Sequence, residues 1–523
     1  VQAAAVTTSK TPVGSTGAVR AALRSSRLGS GTKLSYAVGA AVEGTISALV
    51  NTFLLFYATT VCGLSASLAG VAIAAGLVVD AIADPLIGSL SDNLHSRLGR
   101  RLPFMLVGLP MIAASFVAIF SLPDWNQQGA LFVLLAFLSI AVRIGVSTFH
   151  LPFLTVGAEI VDDHVERSRI MSFCWGFAMI GALSGVVIGF SFFFSGPAGL
   201  ADRQAYAPFA LTLAAIVVIW GSLSCRTVHR TLARQHLPPA TPAPLLRRLM
   251  PELRELFGNR SFRLLFASSL IFFVAFGMTQ ALALHANSFF WHLRSGQIQL
   301  VTVAFIVGTL VGAPLMAPLI GRLEKKTSVL VGLGGWAAMQ ALPSSLRLLG
   351  ALPLEGQALA VFLAAAMSVA GSLMAMAAIA FISMMADAAD EHEYLFGARR
   401  EGLFYAGWAF AGKTAGSIGS LLSGLLLTAI HFPVQETRQA GLDIVLPDAM
   451  VRELGFFYGP GAAALSFVGA VFLIRYRLDR ATHARMVEEL RQRRHDDAAP
   501  HLADQIRGSA PASAAFRRGH DEP

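Results

Sequence analysis

Residues 79–104 read Val79-Asp80-Ala81-Ile82-Ala83-Asp84-Pro85-Leu86-Ile87-Gly88-Ser89-Leu90-Ser91-Asp92-Asn93-Leu94-His95-Ser96-Arg97-Leu98-Gly99-Arg100-Arg101-Leu102-Pro103-Phe104. An apolar run carrying two carboxylates gives way to a short segment dense in Ser, Asp and Arg, which hands over to a second apolar run. The same alternation recurs in both directions. Apolar segments fall at 34–60, 65–90, 103–122, 130–156, 170–196 and 205–224, then at 261–292, 297–320, 327–347, 354–385, 402–430 and 453–476. Each has roughly the 20 residues that a bilayer-spanning helix needs. The whole chain is 55% hydrophobic and 14% charged, with a mean hydropathy of +0.62. A soluble domain carries about a quarter charged residues to cover its surface. The composition therefore excludes a soluble enzyme, a disordered chain and a disulfide-built secreted domain. It predicts an all-α polytopic membrane protein with twelve transmembrane helices.

The basic residues set an orientation. Most of the 40 lysines and arginines fall in the tails and in alternate loops, whereas the intervening loops hold only Arg203, Arg294, Arg347, Arg438 and Arg452. By the positive-inside rule both termini are expected in the cytoplasm, and the net charge of +9 is explained without nucleic acid. The expected organisation is a disordered cytoplasmic tail (1–33), a six-helix bundle (34–224), a basic, Pro-containing cytoplasmic loop (225–260), a second six-helix bundle (261–476) and a basic cytoplasmic tail (477–523). Cys62, Cys174 and Cys225 show no CxxC spacing and no His/Cys cluster, so neither a zinc site nor a disulfide framework is indicated.

Six segments on either side of a long loop suggest a duplicated unit. Ala158-Glu159-Ile160-Val161-Asp162-Asp163-His164 follows the fourth segment of the first half. Ala386-Asp387-Ala388-Ala389-Asp390-Glu391-His392 follows the fourth of the second, with the same Ala-acid-x-x-Asp-acid-His pattern. Arg167 and Arg169 follow one copy, Arg399 and Arg400 the other. Two parallel repeats around a central cavity are expected, and one chain holding both halves is expected to act as a monomer.

An ionised side chain at mid-bilayer costs roughly 2.5–3.5 kcal/mol even on the lenient insertion scale. Glu43, Asp80, Asp84, Arg143, His150, His285 and Lys413 all lie in apolar segments and each needs a reason. Asp80 and Asp84 are four apart, which puts both carboxylates on one helix face about a turn from each other. Two such acids raise one another's pKa or invite a cation between them. The competing reading is a helix cap at Pro85 with one acid paired to Lys413. Lys413 lies deep in its segment and is expected inside the bundle. His150, before Pro152, reads equally as a proton carrier or as a hydrogen-bonded interior residue. Arg143 reads as a structural salt-bridge partner. On the cytoplasmic side, Gly88 is expected to permit close helix approach and Asp92 to sit at a helix end. Arg97, Arg100 and Arg101 are expected to latch across to Asp387, Asp390 and Glu391 under the other bundle, holding one face closed.

The run Asp80–Gly88, the segment Ser96-Arg97-Leu98-Gly99-Arg100-Arg101-Leu102-Pro103, Thr32-Lys33-Leu34-Ser35-Tyr36, and Met385-Ala386-Asp387 with Arg399-Arg400-Glu401-Gly402 together resemble the glycoside–pentoside–hexuronide:cation symporters. These belong to the major facilitator superfamily and include the melibiose carrier. The resemblance runs from residue 32 to about 476. It implies a cation site of Asp80 and Asp84, with Ser147 supplying a hydroxyl, and a span 11 lysine at Lys413. The asparagine beside the second acid in the melibiose carrier is Ala83 here, which bears against sodium and leaves protons open. The sugar contacts are mostly replaced: the span 1 acid aligns with Gly44 next to Glu43, the span 4 acid with His150, the following tryptophan with Leu154, and the span 5 arginine falls near Trp175. The His-x-Pro-aromatic form at 150–153 resembles instead the animal lysophospholipid symporters.

The resemblance implies a cation-coupled symporter of a small organic solute in the inner membrane, driven by H+ or Na+ and using no cofactor. Substrate contacts are expected at Glu43, His150, Trp175 and Lys413. A symporter of an amphipathic substrate is the near alternative, and a non-transporting receptor or assembly factor the distant one. No phosphate-cradling loop, nucleophile elbow or metal motif points to an enzyme.

Overall fold

A computed structural model describes residues 29–94, 96–160, 163–232, 251, 254–397 and 401–493. The N-terminal tail to residue 28, most of the central loop, the tail beyond 493, and Val161, Asp162, Arg399 and Arg400 of the repeated motif lie outside the described residues. The first half comprises α1 (Ser30–Ala37), α2 (Ala40–Phe56), α3 (Ala66–Asn93), α4 (Leu102–Ile119), α5 (Gln128–Glu159), α6 (His164–Ile188) and α7 (Arg203–Leu232). The second comprises α8 (Arg260–His285), α9 (Ser295–Arg322), α10 (Lys325–Leu348), α11 (Gly356–Phe396), α12 (Glu401–Ala429), α13 (Val434–Ala440), α14 (Asp448–Phe456) and α15 (Ala462–Ile474). No strand occurs among the described residues.

Helices are forced here because backbone N–H and C=O groups in hydrocarbon have no water to bond and must be satisfied within the segment. Ten helices are long and apolar enough to cross a bilayer among the described residues, and the bent pair of α12 with Val434–Asp443 makes eleven. The second expected span is the helical α3, a single helix over Ala66–Asn93 that carries Asp80 and Asp84. Proline is tolerated within α3 (Pro85), α5 (Pro152) and α9 (Pro314, Pro318). The outer surface exposes Phe192 at 75% and Phe137 at 66%, a pattern that suits lipid and not water.

The halves mirror one another in detail. α2 and α8, the opening spans of the two halves, both run on into a five-residue π turn, Tyr57–Val61 and Ala286–Phe290. Across the molecule α3 packs on α12, α2 on α8 and α6 on α9. Gly424 brings α12 onto α3 so closely that a Cβ there would sit 2.3 Å from the Ala66 carbonyl oxygen. Small residues give membrane helices this kind of backbone contact.

The two ends differ. At the end away from the termini, the halves are joined by side chains. Gln435 Nε2 donates to the Gly63 carbonyl at 2.7 Å, Arg438 pairs with Asp124, and Gln299 Nε2 donates to Ser191 Oγ at 2.9 Å. Behind them lie stacked and tilted rings of Phe53, Tyr57, Phe120, Phe194, Tyr206 and Phe209. At the end carrying the termini the expected cross-bundle latch is not formed. Arg100 and Arg101 reach Glu159 at 2.9 and 3.1 Å, and Arg101 also pairs with Asp92, all in their own half. Asp387 pairs with Lys325 at 2.7 Å and Asp390 with His483 at 3.1 Å in theirs. Arg97 is exposed. Gly88 is likewise not a close-approach point, since a Cβ there would meet nothing within 4 Å. In this arrangement Arg100, Arg101, Asp387 and Asp390 have partners within their own halves.

Candidate functional site

The charged residues of the spans converge between the halves. α3 carries Asp80 and Asp84 a turn apart. α5 brings Arg143 and Ser147, also four apart, and His150 onto the facing surface. α12 brings Lys413 and Ser417, and α2 brings Glu43. A cavity of about 300 Å3 is lined by Glu43, Asp80, Arg143, Ser147, His150 and Lys413.

Each acid of the pair has its own basic partner. Arg143 Nη1 donates to Asp80 Oδ2 at 2.7 Å, and its Nη2 donates to Ser417 Oγ at 2.7 Å, so one guanidinium links α3, α5 and α12. Lys413 Nζ donates to Asp84 Oδ2 at 2.5 Å, tying α12 to α3 a second time. The two carboxylates thus do not share a cation in this arrangement. Asp84 keeps Oδ1 buried without a hydrogen-bond partner, and so does His150 at Nδ1. Glu43 Oε1 accepts from Ser47 Oγ at 2.8 Å. Three carboxyl groups and two basic side chains thus meet between the halves, with the His150 imidazole beside them.

A second cavity, of about 510 Å3, lies deeper between the halves and touches the first through Glu43, Ser47 and Asn51. Trp175 lines this one and not the first, so the four residues expected at the substrate divide: His150 and Lys413 on one side, Trp175 on the other, Glu43 on both. Phe273, Phe276, Trp336, Met367 and Ile382 make its wall mainly apolar, while Gln280, Asn287 and Gln340 supply amide groups.

Sequence reading placed Arg143 only as a structural partner and missed Ser417. The signal was present, because Arg143 sits one helical turn before Ser147 and shares its face. It also missed the buried pair of Lys33 with Glu166, which joins α1 to the start of α6 beside a hydrogen bond from Tyr36 to the Phe153 carbonyl.

Residues 35–480 match the protein family described as MFS/sugar transport protein. An uncharacterized symporter of Synechocystis is 26% identical, covering 89% of this chain and 97% of that one. An isoprimeverose transporter of Lactiplantibacillus pentosus is 24% identical, covering 87% and 90% respectively. Among solved structures, a D-xylose–proton symporter superimposes with a TM-score of 0.60 over 86% of this chain and 97% of its own; at 16% identity this likeness shows the fold alone.

Proposed function

The chain belongs to the MFS/sugar transport protein family, as one of the glycoside–pentoside–hexuronide:cation symporters with the major facilitator fold, and from that premise we propose a cation-coupled symporter of a small glycoside-like solute. It is a multi-pass membrane transporter and not an enzyme. The observation that carries the symport reading is the pairing of two intramembrane acids with two basic residues that also engage the opposite half: Asp80 with Arg143 and Ser417, Asp84 with Lys413.

Such pairs are what a coupled carrier needs. Cation binding at Asp84 competes with Lys413 for one carboxylate. When it wins, the ammonium is released toward the 300 Å3 cavity that Lys413 lines, where it can meet a solute hydroxyl or acid together with Glu43 and His150. Occupancy by cation and solute then changes which cross-half contacts are favourable, and the halves rock about the site. One charge moving through 100 mV supplies about 2.3 kcal/mol, enough for roughly fifty-fold accumulation. With both termini in the cytoplasm of an inner-membrane protein, the open end is the cytoplasmic one and the monomer is the working unit.

The apolar wall of the second cavity favours one further reading, an amphipathic solute such as a lysophospholipid, in line with the His-x-Pro-Phe form at 150–153. Uptake into proteoliposomes under an imposed proton or sodium gradient, comparing labelled glycosides with a lysophospholipid, tests both. Gradient-driven glycoside entry that Asp84→Asn abolishes is the expected result. Entry of the lysophospholipid alone selects the second reading. An unchanged gradient response in Asp84→Asn overturns the coupling assignment.

A further inference from the structure

Arg143 is not simply a salt-bridge partner. Its guanidinium sits on Asp80, whose side chain is 7% exposed, at the place where a cation shared by Asp80 and Asp84 would have to bind. We propose that Arg143 is a tethered counter-ion that takes the place of a metal cation at the acid pair, so that the symporter excludes sodium and couples to a proton carried by Asp84. This rests on the symport reading and names its ion.

Three observations support it. First, the site is shaped for an arginine. Gly76 lies one turn before Asp80, and a Cβ there would fall 2.2 Å from Arg143 Cδ. The absent side chain at 76 is the groove through which Arg143 reaches Asp80. Second, the guanidinium is held at both ends, by Asp80 and by Ser417 from the other half. Arginine keeps its charge at any physiological pH. Asp80 is therefore held as a carboxylate with its charge answered, and it is withdrawn from ion coupling. Third, the remaining acid suits a proton better than a metal ion. Asp84 has one oxygen on Lys413 and one buried without a partner. A lone carboxylate oxygen needs only one proton, whereas a sodium ion needs several oxygens at once, and Asp80 is taken.

Magnitude decides between exclusion and mere weakening. Two unit positive charges about 4 Å apart at the effective dielectric of a protein site repel enough to lower affinity by about a thousandfold. The other titratable groups facing the site are Glu43, Lys413 and His150; Glu43 is the further carboxyl among them, and its Oε1 is engaged by Ser47 Oγ at 2.8 Å. In the coupled step a proton from the loading side joins the Asp84 carboxylate as Lys413 lets go. The same proton leaves to the other side when Lys413 returns, so charge and protons balance over the cycle.

Binding of radiosodium to the purified full chain in detergent tests this without any solute. The native chain is expected to show no saturable binding, and Arg143→Ser to gain saturable binding that a second change, Asp84→Asn, removes. Gly76→Ala, which pushes the arginine off Asp80 without deleting it, is expected to gain at least partial binding, and Arg143→Lys to stay without. Saturable sodium binding by the native chain that Asp80→Asn abolishes overturns the proposal, as does failure of both Arg143→Ser and Gly76→Ala to bind. Proton- or sodium-driven uptake by the native chain is measured separately. Sodium-driven uptake with native sodium binding leaves symport standing and sinks the proton assignment; loss of all gradient-driven uptake sinks the symport reading itself.

Discussion

Thr59 Oγ1 lies 2.9 Å from His285 Nε2, and this bond joins the two halves of the chain inside the closed end. Both residues are fully buried. Thr59 lies within the π turn that follows the opening span of the first half, and His285 is the residue that leads into the corresponding π turn of the second, so the two π-turn regions meet here. Phe56 and Phe432 close over the imidazole edge-on, with ring centroids 5.1 and 5.4 Å away. The contact lies between the halves at the end opposite the termini.

Replacing His285 with Ala should loosen this closure. The Thr59 hydroxyl keeps its bond to the Leu55 carbonyl but loses its cross-half partner, at a cost of about 0.5–1.5 kcal/mol. Cys62, 1% exposed and three residues beyond Thr59, is a native reporter. A membrane-impermeant maleimide should label it about two- to tenfold faster in His285→Ala than in the native chain, on the same magnitude. Equal rates would show that the bond does not hold the closed end.

The Lys33–Glu166 pair should matter for stability and not for coupling. The side chains are 10% and 4% exposed, and the pair pins α1 beneath α6 far from the acid pair. Removing one partner of a buried pair costs up to about 3–5 kcal/mol, and less where another cation stays on the acid, as Arg169 does on Glu166 Oε1 at 3.2 Å; apolar replacement of both is often close to neutral. Lys33→Met alone should lower the thermal unfolding temperature clearly, and Lys33→Met with Glu166→Leu should recover most of the loss. A double variant no better than the single one would mean that the hydrogen bonds around Glu166 matter more than its charge.

The helix over 480–493 should keep its N-terminal cap in mild acid. Asp479 accepts from the Thr482 backbone amide at 2.7 Å, and this bond, with the Thr482 hydroxyl, holds its carboxyl below the ordinary aspartate value. A carboxyl lowered in the folded state stabilises above its unfolded value near 3.8, and that contribution is lost as pH falls through the lowered folded value. Amide exchange in 480–493 should therefore stay protected down to about pH 4 and rise below it, whereas Asp479→Ala should be unprotected at neutral pH as well. Identical exchange in both proteins would assign the helix to its contacts, such as Tyr394 with Glu489, and not to its cap.

How much of this was legible depended on what each residue is measured against. A carboxylate or ammonium in an apolar run stands out because it is costly there, and so Asp80, Asp84, Lys413 and Glu43 could be picked out before any geometry. Arg143 stood out too, but its role depends on Gly76 and Ser417, and nothing local links three residues on three helices. Thr59 was invisible, since a threonine on an apolar helix satisfies itself by bonding the preceding turn, as it does here with the Leu55 carbonyl at 2.8 Å. For the arginines at 97–101, the latch expected across to the other half is one set of contacts and the structure holds another. A carrier that alternates has two sets of contacts at each end, and a sequence encodes both without saying which is made. The pairing of Arg100 and Arg101 with Glu159 belongs to the open set.

The Asp84–Lys413 bond offers the sharpest check on the coupling reading, because it makes opposite predictions for single and double changes. Lys413→Met leaves Asp84 without its ion-pair partner. With no ammonium to reclaim the carboxylate, the coupled cycle, in which the cation and Lys413 exchange on it, should stall. Asp84→Asn leaves the ammonium without its acid and should stall for the mirror reason. Each single change should abolish gradient-driven uptake and lower thermal stability. The double change removes both charges together, so its stability should exceed the sum of the two losses by a coupling energy of about 0.5–3 kcal/mol, while uptake stays uncoupled. Additive stability losses would mean that the two side chains do not interact in the membrane. Restored gradient-driven uptake in the double variant would mean that the pair holds the halves together and that the proton travels elsewhere.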